Sequence, residues 1–376
     1  MFSVGITGQA GFIGTHLFNF LGLKKDEVTR IPFRDEYFSD TEVLENFVKQ
    51  CDVIIHLAAL NRHNDPQTIY DTNLLLVNKL IAAMEKTNSR PHVLFSSSTQ
   101  EERDNMFGKS KREGRALFEQ WAERNHARFT GLVIPNVFGP FGNPYYNSVV
   151  ATFCHQLTHN EQPKIEIDAT LKLIYIGDLV SLIWNEILNQ SPVTNHQSPV
   201  TIPHTVEKNV TELLALVNRF KTDYFDNGQF PALHHTFERD LFNTFRCYID
   251  IEKINPVKLK MNTDDRGTFV ETIKTELGGQ VSFSTTRPGI TRGNHFHTRK
   301  IERFAVIKGK ARIQLRRIGT DKVMDFYLDG NEPSYVDMPI WYTHNITNVG
   351  DEDVYTIFWI NEFFNPDDPD TYFEAV

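Results

Sequence analysis

Four side chains in the last quarter of the chain could hold a metal ion. The stretch G-I-T-R-G-N-H-F-H-T-R-K-I-E-R-F-A-V-I-K-G runs from Gly289 to Gly309, and P-I-W-Y-T-H-N-I-T-N from Pro339 to Asn348. His295 and His297 alternate, so in an extended strand both imidazoles leave one face. Glu302 and His344 can join them if the intervening strands fold into a small barrel. Imidazoles and one carboxylate converging in a barrel mouth form the ligand set of a divalent cation that keeps a position open for substrate. Such borderline donors suit Zn²⁺, although iron, manganese and nickel accept similar sets. The alternative is that these residues only hydrogen-bond one another. Tyr342 stands two residues before His344 on the same strand face, where its phenol could return a proton to a substrate carbon; packing inside the barrel is the other role open to it. Lys300 is a further candidate base.

A second constellation opens the chain. The apolar run Phe2–Thr7 ends in Gly8-Gln9-Ala10-Gly11-Phe12-Ile13-Gly14, and an amphipathic helix pattern follows from Phe12 to Leu21. Strand, glycine-rich turn and helix together bring a pyrophosphate onto backbone N–H groups at a helix N-terminus. Arg30 lies in the next expected strand and Arg34 just past it. A guanidinium at Arg34 suits the 2′-phosphate of NADP, where an NAD enzyme tends to place an acid for the ribose hydroxyls.

The elements that must position these groups fall into two textures. Val28–Pro32, Asp52–Leu57, His92–Ser96 and Phe129–Ile134 read as strands separated by helical patterns, which predicts a doubly wound parallel sheet. Residues 191–245 lack a continuous strand pattern, with helices expected at Thr211–Phe220 and Glu238–Phe245. From Val257 onward come short β-rich runs: Lys258–Met261, Gly267–Lys274, Gln280–Arg287, Arg303–Ile307, Ala311–Arg317, Val323–Leu328 and Asp353–Asn361. That spacing predicts a sandwich or barrel. The expectation is an α/β domain over residues 1–247 followed by an all-β domain over 248–376.

Composition bounds the partners. A chain of 376 residues exceeds one ordinary core, and 40% hydrophobic with 23% charged residues fits a globular protein. Lys and Arg number 39 against 48 Asp and Glu, a net charge of −9 that argues against nucleic-acid binding. No apolar run approaches the ~18 residues of a membrane span, and the N-terminus leaves no room for a cleavable signal. Three widely spaced cysteines, Cys51, Cys154 and Cys247, favour a reducing cytoplasm.

With T-G-Q-A-G-F-I-G at 7–14, H-L-A-A at 56–59, S-S-S at 96–98 and P-N-V-F-G-P at 135–140, the first half resembles the extended short-chain dehydrogenase/reductases. The resemblance implies a Rossmann-like fold and a dinucleotide over Gly8, Gly11, Phe12, Ile13 and Gly14, beside Leu57 and Ala58. It also implies a sugar nucleotide as substrate. In that family a Tyr four residues before a Lys protonates the substrate oxygen. Here the segment reads N-M-F-G-K-S-K, with Lys111 in the Lys position and Phe107 in that of the Tyr. Phenylalanine donates no proton, so Ser98, Thr99 or a water held by Lys111 would have to substitute.

The second half resembles the cupin family, which implies a jelly-roll barrel. Gly289, His295, His297, Glu302 and Gly309 match its first motif; Pro339, His344 and Asn348 match its second, with Trp341 where that motif usually has Gly. D-D-R-G-T-F at 264–269 resembles an opening motif of the sugar-nucleotide epimerase branch of cupins. A reductase joined to such a cupin, with N-P-Y-Y-N-S-V-V-A-T-F-C at 143–154 and N-P-D-D-P-D-T-Y-F at 365–373, resembles a family of fused capsular-polysaccharide enzymes. This implies a UDP-linked 4-keto-6-deoxy-N-acetylhexosamine as substrate, inverted at C3 by the cupin and reduced at C4 with NADPH, on the route to UDP-N-acetyl-L-fucosamine. A homodimer is expected. Two alternatives stay open: a C3-epimerase with a degenerate nucleotide fold, and a non-catalytic nucleotide-sugar binding protein.

Overall fold

The computed structural model describes residues 1–189, 199–265 and 267–376; Arg266 of the D-D-R-G-T-F motif and residues 190–198 of the expected strand-poor stretch lie outside the described residues. The chain packs as two compact units, Met1–Val149 with Asp168–Val210, and Val150–Ile167 with Thr211–Val376.

In the first unit a six-stranded parallel sheet runs in the order 28–31, 2–7, 53–56, 92–98, 129–134, 200–201. Strands of such a sheet are covered on both faces, which is why V-I-I-H at 53–56 is buried throughout. Val4, Ile6, Ile55, Leu94 and Leu132 pack under helices Phe12–Gly22 and Ile176–Leu188. Ile54, Val93 and Phe95 face the other way, against Thr41–Lys49, Pro66–Thr87 and Met106–Asn125. The doubly wound sheet expected from the sequence is present.

In the second unit two antiparallel five-stranded sheets pack face to face. One has the order 257–258, 334–338, 302–308, 354–360, 280–286; the other 323–329, 310–317, 342–348, 291–296, 372–373. Val306, Val336, Met338 and Val354 of the first meet Ile313, Leu315, Phe326, Leu328 and Ile346 of the second in one core. This is the cupin-type sandwich. Helices Val210–Phe220 and Thr236–Arg246 match their expected positions within a residue or two.

Four details differ from expectation. The run Gly267–Lys274 is two strands, Gly267–Val270 and Lys274–Thr275, the latter pairing with Gln229–Phe230. The run Lys258–Met261 is two strands: Val257–Lys258 pairs with Ser334 and Tyr335, whereas Met261–Asp264 forms a hairpin with Gly267–Val270. The sequence pattern does not mark strand Ser334–Met338, because burial on both faces, Ser334 and Asp337 included, removes the alternation of a half-exposed strand. The first motif strand ends at Phe296, with a bulge between Gly293 and His295, so His297 lies just beyond it. Among the described residues no helix is long and apolar enough to cross a membrane.

Candidate active site

The glycine turn is shaped by contact distances. Gly8 has φ +69°, and a Cβ there would sit 2.8 Å from the Ala58 backbone; at Gly14 it would meet Gly8 O at 2.3 Å. Gly11 caps the helix without any side-chain hydrogen bond, so the first-turn N–H groups have no capping side chain as acceptor. Phe12, Ile13 and Leu57 pack on the core beneath. Gln9 Oε1 accepts from Phe33 N at 3.0 Å, tying the turn to the end of the second strand. Arg34, next along, is exposed and precedes a short 3₁₀ turn. Arg30 is used otherwise: it stacks 4.3 Å over the Phe18 ring and donates to Phe18 O at 2.9 Å.

Lys111 is buried on helix Met106–Asn125, whose N-cap Asn105 accepts from Gly108 N at 2.7 Å. Its Nζ donates to Ser96 O at 2.9 Å and stands 5.6 Å from the Phe107 ring centre. Lys111 and Phe107 are thus side by side as the helix spacing requires, with an apolar edge where a phenol would be. Burial lowers the Lys111 pKa to about 8, against the opposing pull of Glu101. Ser98 Oγ accepts from Gln100 N at 3.2 Å, and Thr99 is exposed at the start of the following turn. Sequence reasoning missed Glu101, which is buried, bonded to Ser97 Oγ and clasped by Arg115 at 3.0 Å. It also missed Asn73, which fixes the Leu60 backbone through both its amide atoms. Neither lies at a spacing that singles it out.

In the second unit His295, His297, Glu302 and His344 come together, one ligand atom of each lying within 4.8 Å of all the others. Glu302 Oε2 is 3.1 Å from His297 Nε2 and 3.1 Å from His344 Nε2. His297 Nδ1 lies 2.5 Å from Asp370 O, and since a carbonyl only accepts, Nδ1 carries the proton and Nε2 presents a lone pair. Despite their closeness, Glu302 Oε2 and both Nε2 atoms make no directed hydrogen bond. Two ligands each ~2.0–2.2 Å from one ion stand roughly 3 Å apart, so buried lone pairs converging at this separation fit a divalent cation. Burial alone would raise the Glu302 carboxyl, but when His297 and His344 carry a proton on Nε2 they hold it well below the usual carboxylate range, and against burial Glu302 in turn raises His297. Burial, reinforced by His344, lowers His295 to about 4, which keeps it neutral as ligation requires.

Asp370, unnoticed in the sequence because it sits in a Pro- and Asp-rich stretch that reads as loop, closes this site. Its carboxylate accepts from Thr298 N, Arg299 N and Lys300 N at 2.9–3.0 Å and from Thr298 Oγ1 at 2.6 Å. Lys300 is itself buried, donating to Pro369 O at 2.6 Å. Tyr342 packs against the barrel core with Phe304, and burial pushes its phenol well above the usual range. Trp341 holds φ +62°, the left-handed region where a glycine is at ease, while its N–H donates to His297 O at 2.8 Å and its ring stacks on Phe296.

Residues 4–196 match the NAD dependent epimerase/dehydratase family and residues 262–372 the polysaccharide biosynthesis C-terminal domain. The chain belongs to the NAD-dependent epimerase/dehydratase family, and family membership implies an NAD(P) cofactor. Along its whole length it is CapF-like. It is 33% identical over 368 residues, 98% of this chain and 97% of the relative, to the UDP-2-acetamido-2,6-beta-L-arabino-hexul-4-ose reductase of Pseudomonas aeruginosa. It is 35% identical to the capsular polysaccharide assembling protein CapF of Staphylococcus aureus, whose crystal structure superposes with a TM-score of 0.60, covering 100% of both chains. A UDP-glucose 4-epimerase from Thermotoga maritima, 18% identical with a TM-score of 0.54, covers 65% of this chain and 98% of its own, and shares the fold.

Proposed function

We propose that this chain is a UDP-sugar enzyme of surface polysaccharide synthesis, acting on a UDP-linked 4-keto-6-deoxy-N-acetylhexosamine on the route to UDP-N-acetyl-L-fucosamine. The observation that carries the reading is the cluster of His295, His297, Glu302 and His344 on the same chain as a dinucleotide turn. Full-length similarity to a protein named as a UDP-hexulose reductase supports the substrate class. In this reading residues 1–247 are the reductase and 248–376 the epimerase, in a cytoplasmic homodimer.

The C4 ketone acidifies the hydrogen on C3, so a base can remove it and return it from the opposite face. The four-residue cluster would hold a divalent metal, Zn²⁺ by its donor set, which when bound supplies Lewis acidity at O4. Tyr342 is the candidate for the proton returned to C3, and Lys300 the alternative base. Gly8, Gly11, Phe12, Ile13 and Gly14, with Leu57 and Ala58, hold the pyrophosphate, and Arg34 selects the 2′-phosphate. NADPH, when bound, supplies the hydride for C4. Lys111 orients the site, and Ser98, Thr99 or a water on Lys111 protonates the oxygen in place of the missing phenol.

Phe107 also favours a second reading, in which C3 inversion is the one reaction that persists. Incubation with the 4-keto sugar in D₂O, with and without NADPH, separates the two. Deuterium at C3 together with NADPH oxidation supports the two-step enzyme. Deuterium alone supports the epimerase, and neither event overturns both.

A further inference from the structure

The sheet that carries Glu302 has a second polar site on its outer face. A cavity of about 520 Å³ opens there, and none of the four clustered ligands or the turn glycines lines it. Two guanidiniums do. Arg303 is 2% exposed and Arg246, at the end of helix Thr236–Arg246, 3%. Asp337 neutralises the first, accepting from Arg303 Nε at 2.7 Å and Nη2 at 2.9 Å, while Arg303 Nη1 donates to Gly228 O at 3.1 Å. Tyr224 Oη donates to the same carboxylate at 2.5 Å and accepts from Arg246 Nε at 3.2 Å. Arg246 Nη2 donates to Met338 O at 3.3 Å. Its Nη1 is buried with no hydrogen-bond partner among the described residues.

One carboxylate therefore serves two buried cations. Arginine cannot shed its proton, and a buried charge without a counter-ion is strongly unfavourable. The remaining charge can be met by an anion from outside. Lys258, Lys260 and Lys274 line the same cavity and are exposed. Lys258 pairs with Glu332 at 2.6 Å and Lys274 with Glu271 at 3.1 Å, so Lys260 is the rim cation offered to a ligand. Ile249, Ile254 and Leu259 supply apolar wall between. The volume falls within the ~300–1,000 Å³ of small-molecule pockets and exceeds what one phosphate needs.

We propose that this cavity is a second ligand site that takes a diphosphate group, free or carried by a nucleoside, with Arg246 Nη1 as inner anchor and Lys260 at the rim. It binds rather than reacts, because Tyr224 and Asp337 are committed to the arginines.

The test is crystallographic and calorimetric. Crystals soaked separately in pyrophosphate and in UDP should show phosphate density within hydrogen-bond distance of Arg246 Nη1. Base density against the apolar wall in the UDP soak identifies the nucleoside-borne ligand; phosphates alone, with equal affinity for both probes, identify the free one. Arg246→Met should weaken pyrophosphate binding about tenfold or more, the loss expected for one charge-assisted contact. Lys260→Ala, on an exposed side chain that the fold does not need, should weaken it measurably and guards against a folding defect in the first variant. Density at the glycine turn alone, only water at Nη1, or unchanged affinity in both variants overturns the proposal.

Discussion

Glu302 and Arg303 are adjacent on strand Glu302–Lys308 and serve opposite faces of its sheet. Glu302 meets His297 and His344 at 3.1 Å on the inner face, while Arg303 pairs with Asp337 at 2.7 Å on the outer one. Both side chains are buried. A one-residue slip would put a carboxylate against Asp337 and a guanidinium among the imidazoles, so the pair fixes register through charge.

The cluster inside that sheet should bind close to one equivalent of zinc when the protein is purified without chelator. His297→Ala should cut occupancy severely. Elemental analysis reads this directly, and chelation should lower the melting temperature of wild type but not of the variant. At a free metal concentration 100 times Kd the ion contributes ~2.7 kcal/mol to stability. Zinc content near zero after supplementation would remove the assignment.

Phe107→Tyr adds one oxygen beside Lys111, whose Nζ already lies 5.6 Å from the ring centre. Single-turnover NADPH oxidation with the 4-keto sugar should accelerate by up to the ~10⁴-fold a positioned acid provides. Equally fast rates in wild type and variant would show that Ser98, Thr99 or water already supplies the proton; equally slow rates would show that the pocket no longer admits the phenol.

Arg34 should give NADPH a lower Kd than NADH. Arg34→Ala should erase a preference of about tenfold or more, as expected for one guanidinium–phosphate contact, measured by equilibrium titration of both dinucleotides. No preference in wild type would contradict the role.

Lys111 imposes a pH dependence on stability. Its pKa falls from 10.5 to about 8 on burial, so between these values the unfolded chain binds a proton that the folded one lacks. Stability from this group therefore rises as pH goes from about 8 towards 10.5, and the penalty is full below 8. Its size is on the order of 3 kcal/mol. Urea denaturation of wild type and Lys111→Met at pH 7.5 and 10 should show the gap between the two shrinking at the higher pH. A constant gap would mean that Lys111 stays charged in the fold.

The sequence made legible whatever repeats with a period or stands at a fixed spacing. Strands such as Phe2–Thr7 and Phe129–Ile134 match to the residue, because each is a short apolar run bounded by turn formers. The candidate metal ligands are readable since two of them alternate across only three positions. Partnerships made by the tertiary fold are not. Asp370 reaches His297 from a stretch rich in Pro and Asp, and Glu101 finds Arg115 fourteen residues away, at no distinctive spacing. Trp341 shows the limit most directly. Its left-handed backbone costs roughly 1–2 kcal/mol for a residue with a Cβ, and nothing in its side chain announces that the turn tolerates this through stacking on Phe296.

His297 and the carbonyl that sets its tautomer are 73 residues apart. On a ribosome adding ~5–20 residues per second, roughly four to fifteen seconds separate their synthesis. By its end the three histidines and the glutamate are all made, yet the N–H groups of Thr298, Arg299 and Lys300 still lack the Asp370 carboxylate that accepts from them. If the cluster takes a metal, capture in the correct geometry is therefore a late event in the life of the chain. A translation pause between His344 and Asp370 would lengthen the period in which loose ligands can take up the wrong ion.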